Sequence, residues 1–302
     1  SLCYSSLGKR HIEAIRFSNH AGDIAELLSQ TSEFKQIIFK GLAFPGSNYH
    51  DLTWLLEELK TPETYAGPDT LIELSQSYAT ILNILVFTGT KNEEGQPVYP
   101  FLHALGCHLQ TLPDLPGWID AVVDEKALVR DSASTELSRI RKDIKSLEVK
   151  AEKRIQAILR EGKAKGWIDQ DSELALRNGR QVIPVIPSRK RDIQGFVHDR
   201  SATGQTLFIE PEEVFGINNQ IRELEIDEER EMIRILRALA DNIRPHMPLL
   251  LESYDFLGMI DAIRAKARLS IEMEAGQPDT DLISRKSSSP YWPPSRPRPD
   301  CL

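Results

Sequence analysis

The chain has 302 residues, enough to bury one large core or two smaller ones. Its 37 Lys and Arg face 45 Asp and Glu, a net charge of −8, so the chain as a whole is not a general polyanion binder and any nucleic-acid contact must be local. The cysteines Cys3, Cys107 and Cys301 are far apart, with no Cys-x-x-Cys or Cys/His spacing, which predicts a reducing, cytoplasmic setting without structural zinc.

No apolar run approaches the length of a bilayer span, and SLCYSSLGKRHIEAI lacks the continuous apolar core of a signal peptide. From about Ser6 to Glu125 the pattern is helical. Ile12 to Phe17 and Ile24 to Phe39 have helical spacing, and Leu71, Leu74, Tyr78, Ile81, Leu82 and Leu85 share one predicted face. Pro and Gly punctuate between these segments, at Pro45–Gly46, Gly67–Pro68, Gly95 to Pro100 and Pro113 to Gly117.

From Leu137, apolar residues recur at Ile140, Ile144, Leu147, Ala151, Ile155 and Ile158, the seam of a helix packing on one partner. Asp131, Ser132 or Ser134 is available as its cap. A helix from about Ser134 to Lys165 is roughly 48 Å long at 1.5 Å per residue. Ile217, Ile221, Leu224, Ile235 and Leu239 carry a second seam, weakened at Glu228 and Glu231. Arg139 to Lys165 holds ten basic and four acidic residues, while Glu223 to Glu231 holds six acids and one base. Opposite charges beside apolar seams favour these two helices as antiparallel partners.

Between them lies a small β unit. Gln181–Ile186, Ile193–Val197 and Thr206–Ile209 predict three short strands in an antiparallel meander, with Pro184 demoting the first to an edge. Ser188–Arg191 reads as a basic turn and Asp199–Gly204 as a second turn. The basic residues here, Arg177, Arg180, Arg189, Lys190, Arg191 and Arg200, have few acids nearby, chiefly Asp192 and Asp199, and are the candidate phosphate contacts. The basic helix itself reads as charge for pairing or for a solvated face. Tyr78, Phe87, Trp118 and Trp167 read as core or interface residues.

Met247 to Met273 is a further helical stretch, with Asp255, Asp261, Arg264, Lys266 and Arg268 among its apolar positions. From Ser284 the chain is SRKSSSPYWPPSRPRPDCL, a composition that favours neither helix nor central strand.

Enzymatic motifs are absent. There is no G-x-x-x-x-G-K-[ST] loop. His198, Asp199 and Ser201 are consecutive turn residues with no identifiable partner, so a structural role is expected. The acids of Glu223–Glu231 read as a solvated helix face, not a metal site. No catalytic, cofactor or metal residue is predicted.

Several phrases together resemble the bacterial type-2 MutS family, paralogues associated with control of recombination. They are SSLGKRHIEAI (Ser5–Ile15), VRDSASTELSRIRKDI (Val129–Ile144), RNGRQVIPV (Arg177–Val185) and GFVHDRSATGQTLFIEPEEV (Gly195–Val214), then INNQIRELEIDEEREMIRIL (Ile217–Leu236) and YDFLGMIDAIRAKARLS (Tyr254–Ser270). The resemblance implies a mainly α fold: a MutS-like helical core, a long antiparallel two-helix lever and a small antiparallel β clamp at its tip. The corresponding segments are core 1–128, ascending lever 129–166, clamp 167–211, returning lever 212–245, core 246–275 and a proline-rich disordered or non-native tail 276–302. The family's full-length proteins add an ATPase that uses ATP and Mg and forms a homodimer, and a nuclease. Neither has matching positions here, so no enzyme activity is expected of this chain alone. A truncated gene or a frameshift would account for the tail and for the missing initial Met. Branched, mismatched or duplex DNA is the implied partner, with the ribosome as the alternative and a self-association arm as a third reading.

Overall fold

The computed structural model describes residues 2–278; Cys301 and the proline-rich stretch lie outside them. The fold is mainly helical with one four-stranded antiparallel sheet. Chain contacts divide it into two compact units, one drawn from residues up to Asp120 and from Leu239 onward, the other Ala121–Ala238.

The first unit contains α1 (Ser6–Glu13), α2 (Ala21–Phe39), α3 (Thr53–Glu58), α4 (Pro68–Thr88), α5 (Pro100–Gly106) and most of α6 (Leu115–Val122). It is completed by the end of α8 (Glu212–Ile243) and by α9 (Met247–Glu272). Helix α9 is the centre of this core: Tyr254, Phe256, Leu257 and Ile260 are fully buried among Phe34, Ile37, Tyr78 and Ile81. Each such side chain contributes about 1.5–3 kcal/mol on leaving water. Helix α1 approaches α9 at glycines: a Cβ on Gly8 would lie 2.4 Å from Asp261 Oδ2. Asp261 and Arg264, which the periodicity left among apolar positions, form a buried pair at 2.9 Å. Asp261 also accepts from the backbone N–H groups of Tyr4 and Ser5 and from the Ser5 hydroxyl, tying the start of the chain to α9.

Three expectations change in this unit. Ile12 to Phe17 is not a helix; α1 starts at its Ser5 cap and stops at Glu13, and Phe17 is 97% exposed because only one turn of that spacing meets a partner. The buried face of α4 includes Ile84, while Leu82 and Leu85 are half-buried, since α4 packs against more than one neighbour. Helix α4 is also long and apolar enough to cross a bilayer by length and composition, contrary to the reading of the sequence; its Leu74, Tyr78, Ile81 and Ile84 are fully buried in the protein core.

The second unit is built on α7 (Thr135–Ala164) and α8, with β1 (Ala175–Arg177), β2 (Arg180–Val185), β3 (Gly195–Arg200) and β4 (Leu207–Pro211) between them in sequence. Ser134 caps α7, its hydroxyl accepting from Leu137 N–H. The helix closes at Gly166, whose φ of +68° few other residues tolerate, with Trp167 N–H reaching back to the Gly162 carbonyl. Two ion pairs cross between the helices, Arg141–Glu228 and Arg154–Glu213, both at 2.6 Å, and Ser134 Oγ donates to Glu231 at 2.6 Å. The order of these contacts along both helices is that of an antiparallel pair.

The sheet differs from the expected meander. Its order is β1-β2-β4-β3, so the last strand is internal and β2 and β3 flank it, joined by a crossover that holds a 3-10 helix at Pro187–Asp192. Strand β2 is therefore not an edge. Pro184 is tolerated because β1 pairs only with residues up to Val182, leaving Pro184 bonded on one side, opposite Phe208. Strand β1 was missed, although Asn178–Gly179 supplies the signal: both have positive φ, the requirement of a two-residue hairpin turn. Ile183, Val185, Leu207 and Ile209 pack on Ile155 and Leu159 of α7, on Ile168 and on Val214 of α8.

Candidate functional site

The sheet buries one face and leaves the other charged. On that second face Glu210 of β4 is fully buried, and its carboxylate gathers three partners from different elements. His198 Nε2 of β3 lies at 2.7 Å, Asn218 Nδ2 of α8 donates at 2.7 Å, and Arg180 Nη1 of β2 donates at 3.4 Å. A shift of register between Val197 and Asp199 brings His198 onto this face. Gly195 permits the close approach of β3, because a Cβ there would meet the Glu210 carbonyl oxygen at 2.2 Å. A cavity of about 620 Å³ beside the cluster is lined by Arg180, Asn218, Arg222, Glu148, Glu152 and Glu225.

The six candidate basic residues are not equivalent. Arg180 is turned to Glu210 and is 28% exposed. Arg177 pairs with Asp199 at 3.2 Å and lies over the Phe208 ring, 4.1 Å from its centroid. Arg189 is 3.7 Å from Asp192, a loose contact on an exposed turn. Lys190 and Arg191 on the same turn, and Arg200 at the end of β3, are exposed, and their side chains have no ion pair among the described residues. The structure thus brings Arg189, Lys190 and Arg191 onto the crossover and commits Arg177 and Arg180 to interactions within the sheet.

Sequence reasoning missed Glu210 because the third predicted strand ended at Ile209, one residue short of it. It assigned His198 a structural role and found no partner for it; the partner is Glu210. Among the described residues no group of three or more His, Cys, Asp or Glu is placed to hold a metal ion. Trp167 packs on the sheet core with Lys165 over its ring, and Tyr78 is buried, its hydroxyl accepting from Leu112 N–H.

Electrostatics in the helix pair are strongest at Glu231. Arg234 and Ser134 hold its carboxyl down to about 2, Arg234 being the larger cause. Of the acids on α8, several are satisfied on their own helix, as in Arg222–Glu225 and Arg230–Asp227, and only part of the acidic run faces α7.

A predominantly helical protein that inserts a small polar-faced sheet between two long helices of opposite charge is the class of molecule these observations define. No family model matches the chain. It is, however, 31% identical over 274 residues to an endonuclease MutS2 of Geobacillus sp. (strain WCH70), covering 91% of this chain and 35% of the relative. It is 31% identical over 275 residues to an endonuclease MutS2 of Symbiobacterium thermophilum, covering 91% and 34%. A putative endonuclease MutS2 of Bacillus subtilis (strain 168) is 30% identical over 297 residues, 97% of this chain and 37% of that protein. The chain belongs to the MutS2 family. It spans about a third of the length of the curated relatives it matches.

Proposed function

We propose that this chain is the DNA-contacting core, lever and clamp portion of a MutS2 protein that acts on branched or mismatched DNA to suppress homologous recombination, in the cytoplasm. In this reading α7 and α8 are the lever and the four-stranded sheet is the clamp. Arg189, Lys190 and Arg191, with Arg200 at the rim, contact phosphates, while Arg177 and Arg180 hold Asp199 and Glu210 so that the clamp keeps its shape. ATP and Mg are bound by a part of the protein outside this chain, where the homodimer and the nuclease activity also reside. A stiff helix pair moves as a unit, which suits transmission between a distant nucleotide site and the clamp.

The observation that carries this reading is the exposed Arg189–Lys190–Arg191 turn, two of whose cations are unpaired among the described residues, in a chain whose relatives are named endonucleases. Unpaired surface cations release counterions from DNA and give salt-dependent affinity. The test is binding to a labelled four-way junction and to linear duplex across a salt titration, with the variant R189A/K190A/R191A alongside. Affinity that falls steeply with salt, favours the junction and drops in the variant supports the reading. No binding to either DNA at low salt, or co-sedimentation with ribosomes in its place, overturns it.

A further inference from the structure

Helix α7 carries a second cationic surface, distinct from the turn on the sheet. Lys142, Lys145, Lys153 and Arg160 are exposed and Lys163 is partly so, and none of the five has an ion pair among the described residues. A helix turns about 100° per residue, so these five fall within a stripe about 80° wide and roughly 31 Å long at 1.5 Å per residue. The stripe lies opposite the buried seam of Ile140, Ala151 and Ile155 and so faces solvent.

The acids of α7 form no ion pair with it among the described residues. Asp143 is engaged by Arg139 and Glu161 by Lys165, while Glu148 and Glu152 line the cavity shared with Arg180 and Arg222. Nor does the acidic helix: α8 takes up Arg141 and Arg154, the two cations at the flank of the seam, and leaves the outer row unmatched. The excess positive charge of α7 is therefore not accounted for by pairing with α8. Lys150, Lys153, Arg154 and Val149 also line a groove of about 770 Å³ beside Glu213 and Ile217, which widens the basic surface on one side.

We propose that this outer row of α7 is a binding surface for the phosphate backbone of duplex DNA, separate from the clamp. The inference rests on the reading of a DNA partner but not on the Arg189–Arg191 turn. Charge complementarity selects the occupant. Duplex DNA presents one phosphate charge per roughly 1.7 Å of axis, so it can meet a straight cationic row of this length along its whole extent. Contacts of this kind position the protein without reading sequence. In a chain with net charge −8, a row whose cations form no ion pair among the described residues is the kind of local patch such binding requires.

The experiment uses the full chain and fluorescent linear duplex over a salt titration, with three variants. K142Q/K145Q/K153Q/R160Q/K163Q removes the row. R189A/K190A/R191A removes the turn. K9Q/R16Q/K40Q/K91Q/R268Q removes the same five charges from exposed positions of the first unit and controls for net charge. The row variant is expected to lose at least about tenfold in affinity, with the slope of log affinity against log salt falling by up to about 4.5, near 0.9 per contact removed. Its thermal midpoint should match that of the parent, because none of the five side chains is buried or ion-paired among the described residues. Unchanged affinity and slope in the row variant, with loss in the turn variant, overturns this proposal and leaves the clamp reading intact. Loss in the row variant alone sinks the turn and keeps the row. An equal loss in the net-charge control overturns the row as a site. A parent chain that binds no duplex overturns the row, and the clamp reading falls with it only if the four-way junction is not bound either; a row variant whose only change is a shift from dimer to monomer in sedimentation assigns the surface to a second copy's acidic α8 instead.

Discussion

Among the described residues each unit buries one carboxylate completely, and the two are used differently. Asp261 is held by Arg264 three residues along the same helix and by the backbone and hydroxyl of Tyr4 and Ser5. Its one cation is local, and its other donors come from the start of the chain. Glu210 has no partner on its own strand; β2, β3 and α8 each supply one. The first carboxylate fastens a chain end to a core helix. The second holds three strands and a helix in one arrangement, and that arrangement sets where the basic crossover is presented. Both carboxylates join distant segments, but Asp261 keeps a cation on its own helix, whereas every partner of Glu210 comes from another element.

The comparison can be broken most directly at Asp261. Asp261→Ala leaves Arg264, only 5% exposed at its side chain, with its Nη1 already unbonded among the described residues, and frees two backbone donors. A loss of about 3–5 kcal/mol is expected in urea unfolding, as for other broken buried pairs. Glu210→Ala should cost less, about 2–3 kcal/mol, because Arg180 is partly exposed and can turn to water. Its distinctive sign is positional: amide exchange should quicken across β3 and the first turns of α8 together. Equal losses for the two variants, or exchange confined to β4, would erase the distinction drawn above.

The smallest expected effect lies in the helix pair and depends on pH. Arg234 and Ser134 depress the carboxyl of Glu231 from its ordinary 4.5 to about 2. A carboxyl whose folded value is lowered stabilises fully above its unfolded value and loses that contribution as pH falls through the folded one. Urea midpoints should therefore hold above pH 4.5 and decline between there and about 2. Ser134→Ala removes both the cap and one bond to Glu231, at a cost of about 1 kcal/mol at neutral pH, and should flatten part of that decline. An identical pH profile in the variant would exclude Ser134 from the effect.

Much of the architecture was legible in the residues. The seams of α7 and α8 have helical spacing, Ser134 was among the candidate caps, and the opposite charges marked the two helices as partners. The sheet was less legible. Three apolar runs were read as a meander, and neither the β2–β3 crossover nor β1 was anticipated, although Asn178–Gly179 announces the latter. At the candidate site, the basic turn was visible as composition, but Glu210 was not. An acid followed by proline and two more acids looks solvated until the partners arrive from residues 180, 198 and 218.

By itself the sequence determined the two long helices α7 and α8 and their apolar seams, because these follow from interactions a few residues apart. Only the tertiary structure decided the strand order, the burial of Glu210 and which cations of α7 stay unpaired. Those depend on groups tens of residues away, whose meeting is governed by packing and not by local propensity. The sequence showed that α7 was basic; the packing of α8 and the sheet left its outer row without ion pairs among the described residues.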